Sequence, residues 1–166
     1  MGGTTKMKFQ LAATLAAMAL AGMTGAARAA EFTSVPLETT IDKPADVAWK
    51  KISGFCDIGA WMHTTCVITS GKDGEVGAVR RIADRIDELL VANTAWSYTY
   101  SQPKSPNDYH GTVEIRPVDK GHSKLLYTLV YDAAPLPTPE AKAAAKESYA
   151  KRFTVVLATM KGIAEK

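Results

Sequence analysis

The sequence lacks the short motifs of the common hydrolytic and nucleotide-dependent active sites. It has no G-x-S-x-G nucleophile turn, no H-E-x-x-H zinc motif and no glycine-rich phosphate loop. Its three histidines, His63, His110 and His122, are scattered along the chain. Only His63, beside Trp61, is placed to act as a general base in a cleft, and a surface histidine at a helix end is the alternative. The sequence therefore predicts no catalytic site.

Cysteine is also scarce, because Cys56 and Cys66 are the only two in the chain. There is no C-x-x-C-H motif for haem attachment. Cys56, His63 and Cys66 supply three candidate metal ligands, whereas a closed zinc site usually needs four. We therefore predict no metal and no cofactor, and we favour a disulfide between the two cysteines over a pair of buried free thiols.

The N-terminal 29 residues have the order of features that is typical of a secretory signal peptide. Lys6 and Lys8 precede an uncharged apolar run over 9–23, and Ala27-Arg28-Ala29 follows as a small-x-small cleavage pattern. The run is short and rich in alanine, whereas a membrane span needs roughly 20 strongly apolar residues. We expect cleavage after Ala29 and a soluble protein in a Gram-negative periplasm, with no membrane attachment afterwards. A retained N-terminal anchor is the alternative.

The mature chain lacks an excess of either charge. Loss of Lys6, Lys8 and Arg28 leaves 17 of the 20 basic residues against 17 acidic ones. A balanced charge gives no support for nucleic-acid binding, which needs a basic face. The 137 residues that remain of 166 suit one domain over 30–166, and no repeat or long linker divides them.

Alternation of apolar and polar residues predicts a chain rich in β-strands. A strand over 32–41 is followed by two short helical segments at 45–52 and 55–62. Further strands are predicted over 64–70, 76–82, 96–100, 109–116 and 123–131. The stretch 81–92 fits both a helix and a strand period, and we favour a hairpin turn at 83–85.

The last segment is the strongest helix in the sequence. Thr138 is a suitable N-cap and Pro139 suits the first turn. One apolar stripe runs along the segment at helical spacing: Tyr149, Phe153, Val156, Met160 and Ile163. The element order predicts an α+β fold, with a curved antiparallel sheet of about six or seven strands, two short helices and one long C-terminal helix that covers one face of the sheet. A cavity between sheet and helix is the expected result.

Aromatic residues are the candidates for lining that cavity. Alternation would turn one side of the sheet inward, with Trp96, Tyr98, Tyr100, Tyr109, Tyr127 and Tyr131 on it. Trp61, on the second short helix, is the best candidate for ligand contact at the cavity mouth. Such a surface suits a small apolar ligand with a ring or an acyl chain, and ordinary core packing is the alternative.

Arg80 is the most informative charged residue, because it alternates with apolar neighbours in a predicted strand. If its side chain points inward, it must be paired. It could hold the carboxylate of a ligand, or it could form a structural ion pair with Glu88 across the hairpin. A shift of register by one residue would put Arg81 inside instead.

Five segments together resemble the START/Bet v1-like superfamily, also called SRPBCC or polyketide cyclase-like proteins: 41–49, 54–61, 74–80, 88–90 and the tyrosine-rich strand that ends at Tyr100. The resemblance implies the helix-grip fold. The chain departs from the usual pattern at 81–85, where a glycine-rich hairpin is common.

An exported chain of this size is most similar to the MxaD-type accessory proteins. That resemblance implies a non-enzymatic protein that assists periplasmic methanol oxidation, with methanol dehydrogenase and its cytochrome c acceptor as partners. Two other functions stay open. One is a carrier or sensor of a small apolar ligand. The other is a cyclase-like or dehydratase-like enzyme that would use His63, Arg80 and a tyrosine.

Overall fold

A computed structural model describes residues 1–2 and 29–166. The signal peptide is predicted over residues 1–29, of which residues 3–28 lie outside the described residues, and it stays a prediction. Within the described part of the chain, no helix has both the length and the apolar character needed to cross a membrane.

Seven antiparallel strands form one sheet in the order β1-β7-β6-β5-β4-β3-β2. The strands are β1 (Phe32–Ile41), β2 (Cys66–Ser70), β3 (Val79–Ile82), β4 (Ile86–Asn93), β5 (Ser97–Ser101), β6 (His110–Pro117) and β7 (Ser123–Asp132). Two short helices, α1 (Ala45–Trp49) and α2 (Ile58–Trp61), lie between β1 and β2, and α3 (Pro139–Ala164) ends the fold. The predicted helix-grip architecture is confirmed.

The inner side of the sheet forms the core, because the strands bury every second residue. In β7 the buried positions alternate with half-buried ones along the whole strand, so Leu125, Tyr127, Leu129 and Tyr131 point the same way. Helix α3 covers this side and packs closest to the β1 edge.

Local chemistry explains where α3 begins. The Thr138 hydroxyl accepts a hydrogen bond from the backbone N–H of Ala141 at 3.1 Å, and Pro139 occupies the first turn. Phe153, Val156 and Met160 from the predicted stripe are buried, while Tyr149 and Ile163 are half-buried at its margins. The predicted cap and apolar stripe are confirmed.

The turn between β3 and β4 is the hairpin that the sequence favoured. Ala83 and Asp84 have φ of +50° and +57°, as tight hairpin turns require. Arg80 pairs with Glu88 and Arg81 with Asp87 across the two strands. The alternative of a helix over 81–92 is wrong.

The predicted strand over 76–82 begins too early. Gly77 has a φ of +95°, which interrupts the extended backbone, and Val76 is 63 % exposed. β3 therefore starts at Val79.

The two cysteines form a disulfide, as favoured. Cys56 and Cys66 have their Cα atoms 5.5 Å apart, and the bond joins the segment before α2 to strand β2. The disulfide fits an oxidising compartment.

Replacing both cysteines with serine should lower the free energy of unfolding by about 2–3 kcal/mol, because a closed loop of this length restricts the unfolded chain. Urea denaturation with and without a thiol reductant measures the effect. The reductant should lower the midpoint of the natural protein and leave the double variant unchanged. Equal midpoints for the oxidised and reduced natural protein would contradict the prediction.

Candidate functional site

A cavity of about 390 Å³ lies between the β3–β4 hairpin, the end of β5, the end of α2 and the middle of α3. Its apolar walls come from the region of α2, from the β3–β4 hairpin and from α3: Ile58, Met62, Ile82, Ile86, Tyr149 and Phe153. Buried polar side chains, Glu88, Tyr100 and Tyr109, lie at its inner end. His63, Arg85 and Arg152 are exposed, so they mark its opening.

A buried ion pair stands behind the inner end. Arg80 is fully buried and Glu88 is 2 % exposed. The Nε of Arg80 donates a hydrogen bond to Oε2 of Glu88 at 2.7 Å. Nη2 lies 2.5 Å from the same oxygen, but the angle of this ionic contact is poor for a hydrogen bond. Nη1 donates to the carbonyl of Phe55. Of the two predicted roles for Arg80, the structure shows the structural ion pair.

Two aromatic rings complete the surroundings of Arg80. Its guanidinium carbon lies 4.1 Å from the centre of the Phe55 ring and 4.9 Å from that of Tyr100. Burial alone would lower the pKa of Arg80, but Glu88 and the neighbouring phenols raise it above its ordinary value. Arg80 is therefore a permanent cation, and it does not line the cavity.

Glu88 joins this pair to the cavity. Its Oε2 faces Arg80, and its Oε1 accepts a hydrogen bond from the side-chain amide of Gln102 at 2.8 Å. Gln102 follows β5 directly, and its backbone N–H donates to the carbonyl of Tyr109 at 2.9 Å. Both Glu88 and Gln102 line the cavity.

The tyrosines beside the pair are neutral. The hydroxyls of Tyr100 and Tyr127 are 2.8 Å apart and hydrogen-bonded. Burial raises the pKa of Tyr98 to about 12, and it raises the pKa of Tyr100 and Tyr127 well above the usual value. At neutral pH these phenols can donate and accept hydrogen bonds, but they cannot act as ready bases.

Gly111 creates the room that Tyr100 occupies. The two residues are paired across β5 and β6. A Cβ at position 111 would lie 2.3 Å from the Tyr100 hydroxyl. Position 111 therefore requires glycine, because any side chain there would overlap the ring of Tyr100.

The structure divides the predicted ligand-contact residues into two groups. His63, Tyr100 and Tyr109 line the cavity. Tyr98, Tyr127 and Tyr131 face the same side of the sheet but lie in the packed core, and Arg80 lies behind Glu88. Contact with a ligand stays a prediction for the first group.

Two predicted positions need correction. Trp61 is 1 % exposed and packs edge-on against Tyr127 with ring centres 6.1 Å apart, so it lies in the core and not at the cavity mouth. Trp96 is 39 % exposed, because it precedes β5 in a turn that the Thr94 hydroxyl stabilises by accepting from Ser97 N–H at 3.0 Å. The alternation that Trp96 shares with Tyr98 therefore extends to a residue before the strand begins.

Sequence reasoning missed several lining residues, and those with polar side chains are Thr64, Arg85, Glu88, Gln102, Ser105 and Arg152. Gln102 lies two residues after Tyr100, so the alternation of β5 could have placed it on the inner side. No sequence signal brings Arg85 in a turn and Arg152 on a helix to one opening.

The cysteine and histidine set weighed for zinc is not assembled, because Cys56 and Cys66 are bonded to each other. Across residues 29–166, no group of three His, Cys, Asp or Glu side chains is arranged to hold a metal ion.

A curved sheet that grips a long helix around a lined cavity defines the chain as a helix-grip protein. A family model described as polyketide cyclase / dehydrase and lipid transport matches residues 33–165, and the chain belongs to that family. The family includes enzymes as well as binding proteins. No curated protein matches the chain.

Solved structures share the fold at low identity. A protein of Nitrosospira multiformis is 21 % identical with a TM-score of 0.66, covering 78 % of this chain and 94 % of its own. The ZhuI aromatase/cyclase of Streptomyces sp. R1128 is 18 % identical with a TM-score of 0.65, covering 81 % of this chain and 94 % of its own. The protein XoxI of Bacillus cereus is 18 % identical with a TM-score of 0.65, covering 78 % and 94 %. These likenesses show the fold alone.

Proposed function

We propose that the protein is a non-catalytic binding protein that takes a small apolar, ring-bearing ligand into the cavity. The observation that carries the proposal is a cavity of about 390 Å³ with apolar walls and a few buried polar groups at one end. Ligand sites of small molecules have this size and composition. Met62, Ile86 and Phe153 would cover the faces of a ring, and the neutral phenols of Tyr100 and Tyr109 would orient its polar substituents.

The arrangement of charged groups supports binding over catalysis. The enzyme hypothesis needed His63, Arg80 and a tyrosine around one ligand. Arg80 is instead held by Glu88 and does not line the cavity, and His63 lies at the exposed opening. Glu88 is engaged by Arg80 and Gln102, so it is a poor general base.

Filling the cavity tests the proposal. Ile86 is half-buried in the cavity wall, and Ile86→Trp should weaken binding of the neutral probe N-phenyl-1-naphthylamine by about tenfold or more, because the new ring takes the ligand's space. Val91→Trp, on the same strand at a 40 % exposed position, is the matched control and should bind as the natural protein does. Fluorescence titration measures both, and native mass spectrometry reports any ligand that copurifies. Failure of the natural protein to bind the probe, with no copurifying molecule, would reject a binding cavity.

We further propose that the protein assists periplasmic methanol oxidation by binding methanol dehydrogenase or its cytochrome c acceptor. The resemblance to the MxaD-type proteins supports this partner, and the Cys56–Cys66 disulfide supports an oxidising compartment. The exposed basic side chains of α3, among them Lys146, offer a face for a weak complex.

Calorimetry and the rate of cytochrome c reduction, with both partners taken from the organism that encodes this chain, test the accessory role. We expect weak binding that falls as salt rises, because rim charges act through screened attraction. Lys146→Glu should weaken the complex, whereas Lys120→Glu, at an exposed position in the β6–β7 turn, should not. Absence of binding together with an unchanged rate would reject this role.

A further inference from the structure

The two ends of the cavity differ in charge. At the inner end, Glu88 presents a carboxylate beside the phenol of Tyr109, and the side-chain amide of Gln102 donates to that carboxylate. At the opening, Arg85 and Arg152 are exposed. The polarity of the cavity therefore runs from acceptor groups inside to cations outside.

The inner end has unused capacity to accept a hydrogen bond. Each oxygen of a carboxylate can accept about two hydrogen bonds. Oε2 of Glu88 is occupied by Arg80, whereas Oε1 accepts only from Gln102. A ligand hydroxyl that reaches Oε1 can donate to it, and a ligand carboxylate there would be repelled, because the charge of Arg80 is compensated and lies behind Glu88.

The opening has unused positive charge. Within residues 29–166, neither Arg85 nor Arg152 forms an ion pair, and the guanidinium of Arg152 lies 5.8 Å from the centre of the Phe153 ring in the cavity wall. Among those residues, Glu88 is the one carboxylate that lines the cavity, and it is at the other end. A second depression of about 230 Å³ adjoins the opening and shares Arg85. Its lining also includes the carboxylate of Asp87, which is already held by Arg81 and Lys104, so there is room beside Arg85 for a hydrated anionic group.

We infer that the cavity selects an amphipathic acid, with a hydroxyl at one end of a flat apolar body and an anionic group at the other, bound hydroxyl inward. This inference rests on the proposed binding function and adds the class and the direction of the ligand. The hydroxyl donates to Oε1 of Glu88. The anionic group lies between Arg85 and Arg152, where guanidinium groups suit carboxylates.

Three rigid naphthalene derivatives separate the two ends of the ligand. 6-Hydroxy-2-naphthoate has both groups, 2-naphthoate lacks the hydroxyl and 2-naphthol lacks the acid. Calorimetry on the purified protein should show the first binding about tenfold more tightly than 2-naphthoate, because a hydrogen bond to a charged group is lost. It should bind roughly three- to tenfold more tightly than 2-naphthol, because exposed ion pairs contribute less.

A double variant tests the role of the arginines without touching the core. In Arg85→Gln/Arg152→Gln, the advantage of 6-hydroxy-2-naphthoate over 2-naphthol should disappear, because the affinity for the acid falls by more than the affinity for 2-naphthol. A merely structural role would lower both affinities by the same factor and leave the advantage intact. Lys146→Gln removes an exposed positive charge from α3 outside the cavity and should leave the advantage intact.

The outcomes separate this inference from the proposed function. Binding of N-phenyl-1-naphthylamine, with equal affinities for 6-hydroxy-2-naphthoate and 2-naphthol or for 6-hydroxy-2-naphthoate and 2-naphthoate, would overturn the inference and leave a binding cavity. Retention of the acid's advantage in the double variant would overturn it as well. Binding of none of these probes would overturn both.

Discussion

Replacing Glu88 with leucine should lower the free energy of unfolding by about 3–5 kcal/mol, because it leaves a buried cation without its counter-charge. Arg80 is fully buried, and Glu88 is the acidic group that it contacts, through Nε at 2.7 Å and Nη2 at 2.5 Å. The rings of Phe55 and Tyr100 beside it attract a cation only weakly by comparison. Urea denaturation followed by circular dichroism measures the change.

The neighbouring cross-strand pair supplies the control for this experiment. Asp87 pairs with Arg81 across the same hairpin. This pair lies on the outer side of the sheet, where the side chain of Arg81 is 42 % exposed. Hydrogen bonds from Arg81 and Lys104 hold the pKa of Asp87 well below its usual range. Asp87→Asn should nevertheless lower the free energy of unfolding less than Glu88→Leu, because the Asp87 side chain is 14 % exposed and its partner Arg81 remains in contact with solvent when the carboxylate is lost.

A second variant distinguishes loss of the pair from loss of the side chain. The double variant Arg80→Met/Glu88→Leu removes both buried charges, and it should recover most of the stability that Glu88→Leu alone loses. Two results would contradict the structural role of the Arg80–Glu88 pair. One is an equal loss of unfolding free energy in Glu88→Leu and Asp87→Asn, and the other is a double variant that is no more stable than Glu88→Leu.

The sequence could predict those parts of the fold that depend on local chemistry. The cap at Thr138, the proline beside it and the apolar stripe of α3 are all set by residues within a few turns of one another. The hairpin at 83–85 follows the same logic, since one turn determines the register that pairs Arg80 with Glu88. The resemblance then supplied the way these elements assemble.

The remaining errors have a common physical cause. A period of two tells which side of a strand a residue is on, but not where the strand begins. Trp96 and Val76 both fit the alternation of apolar and polar residues, yet each precedes the first residue of its strand. Trp96 lies in a turn, and Val76 lies beside Gly77, which has a positive φ. Trp61 shows the related problem for a short helix, because one turn of helix does not reveal which of its sides meets the core.

The cavity was predictable as a space between sheet and helix, and three of its predicted lining residues, His63, Tyr100 and Tyr109, do line it. The charged groups at its opening were not predictable, because they come from Arg85 in a turn and Arg152 on a largely exposed part of α3. Tertiary packing brings these two together, and each of them alone reads as an ordinary surface residue.

The grip of α3 on the sheet can be measured at Phe153. Its side chain is 4 % exposed, its ring centre lies 5.0 Å from that of Tyr127 and it lines the cavity. Phe153→Ala should lower the free energy of unfolding by about 3–5 kcal/mol, because the lost ring contacts are not replaced when the void joins an existing cavity. Val155→Ala, at a 68 % exposed position on the same helix, should change it by less than about 0.5 kcal/mol. Urea denaturation of both variants gives the comparison, and equal effects would mean that α3 does not clasp the sheet through this ring.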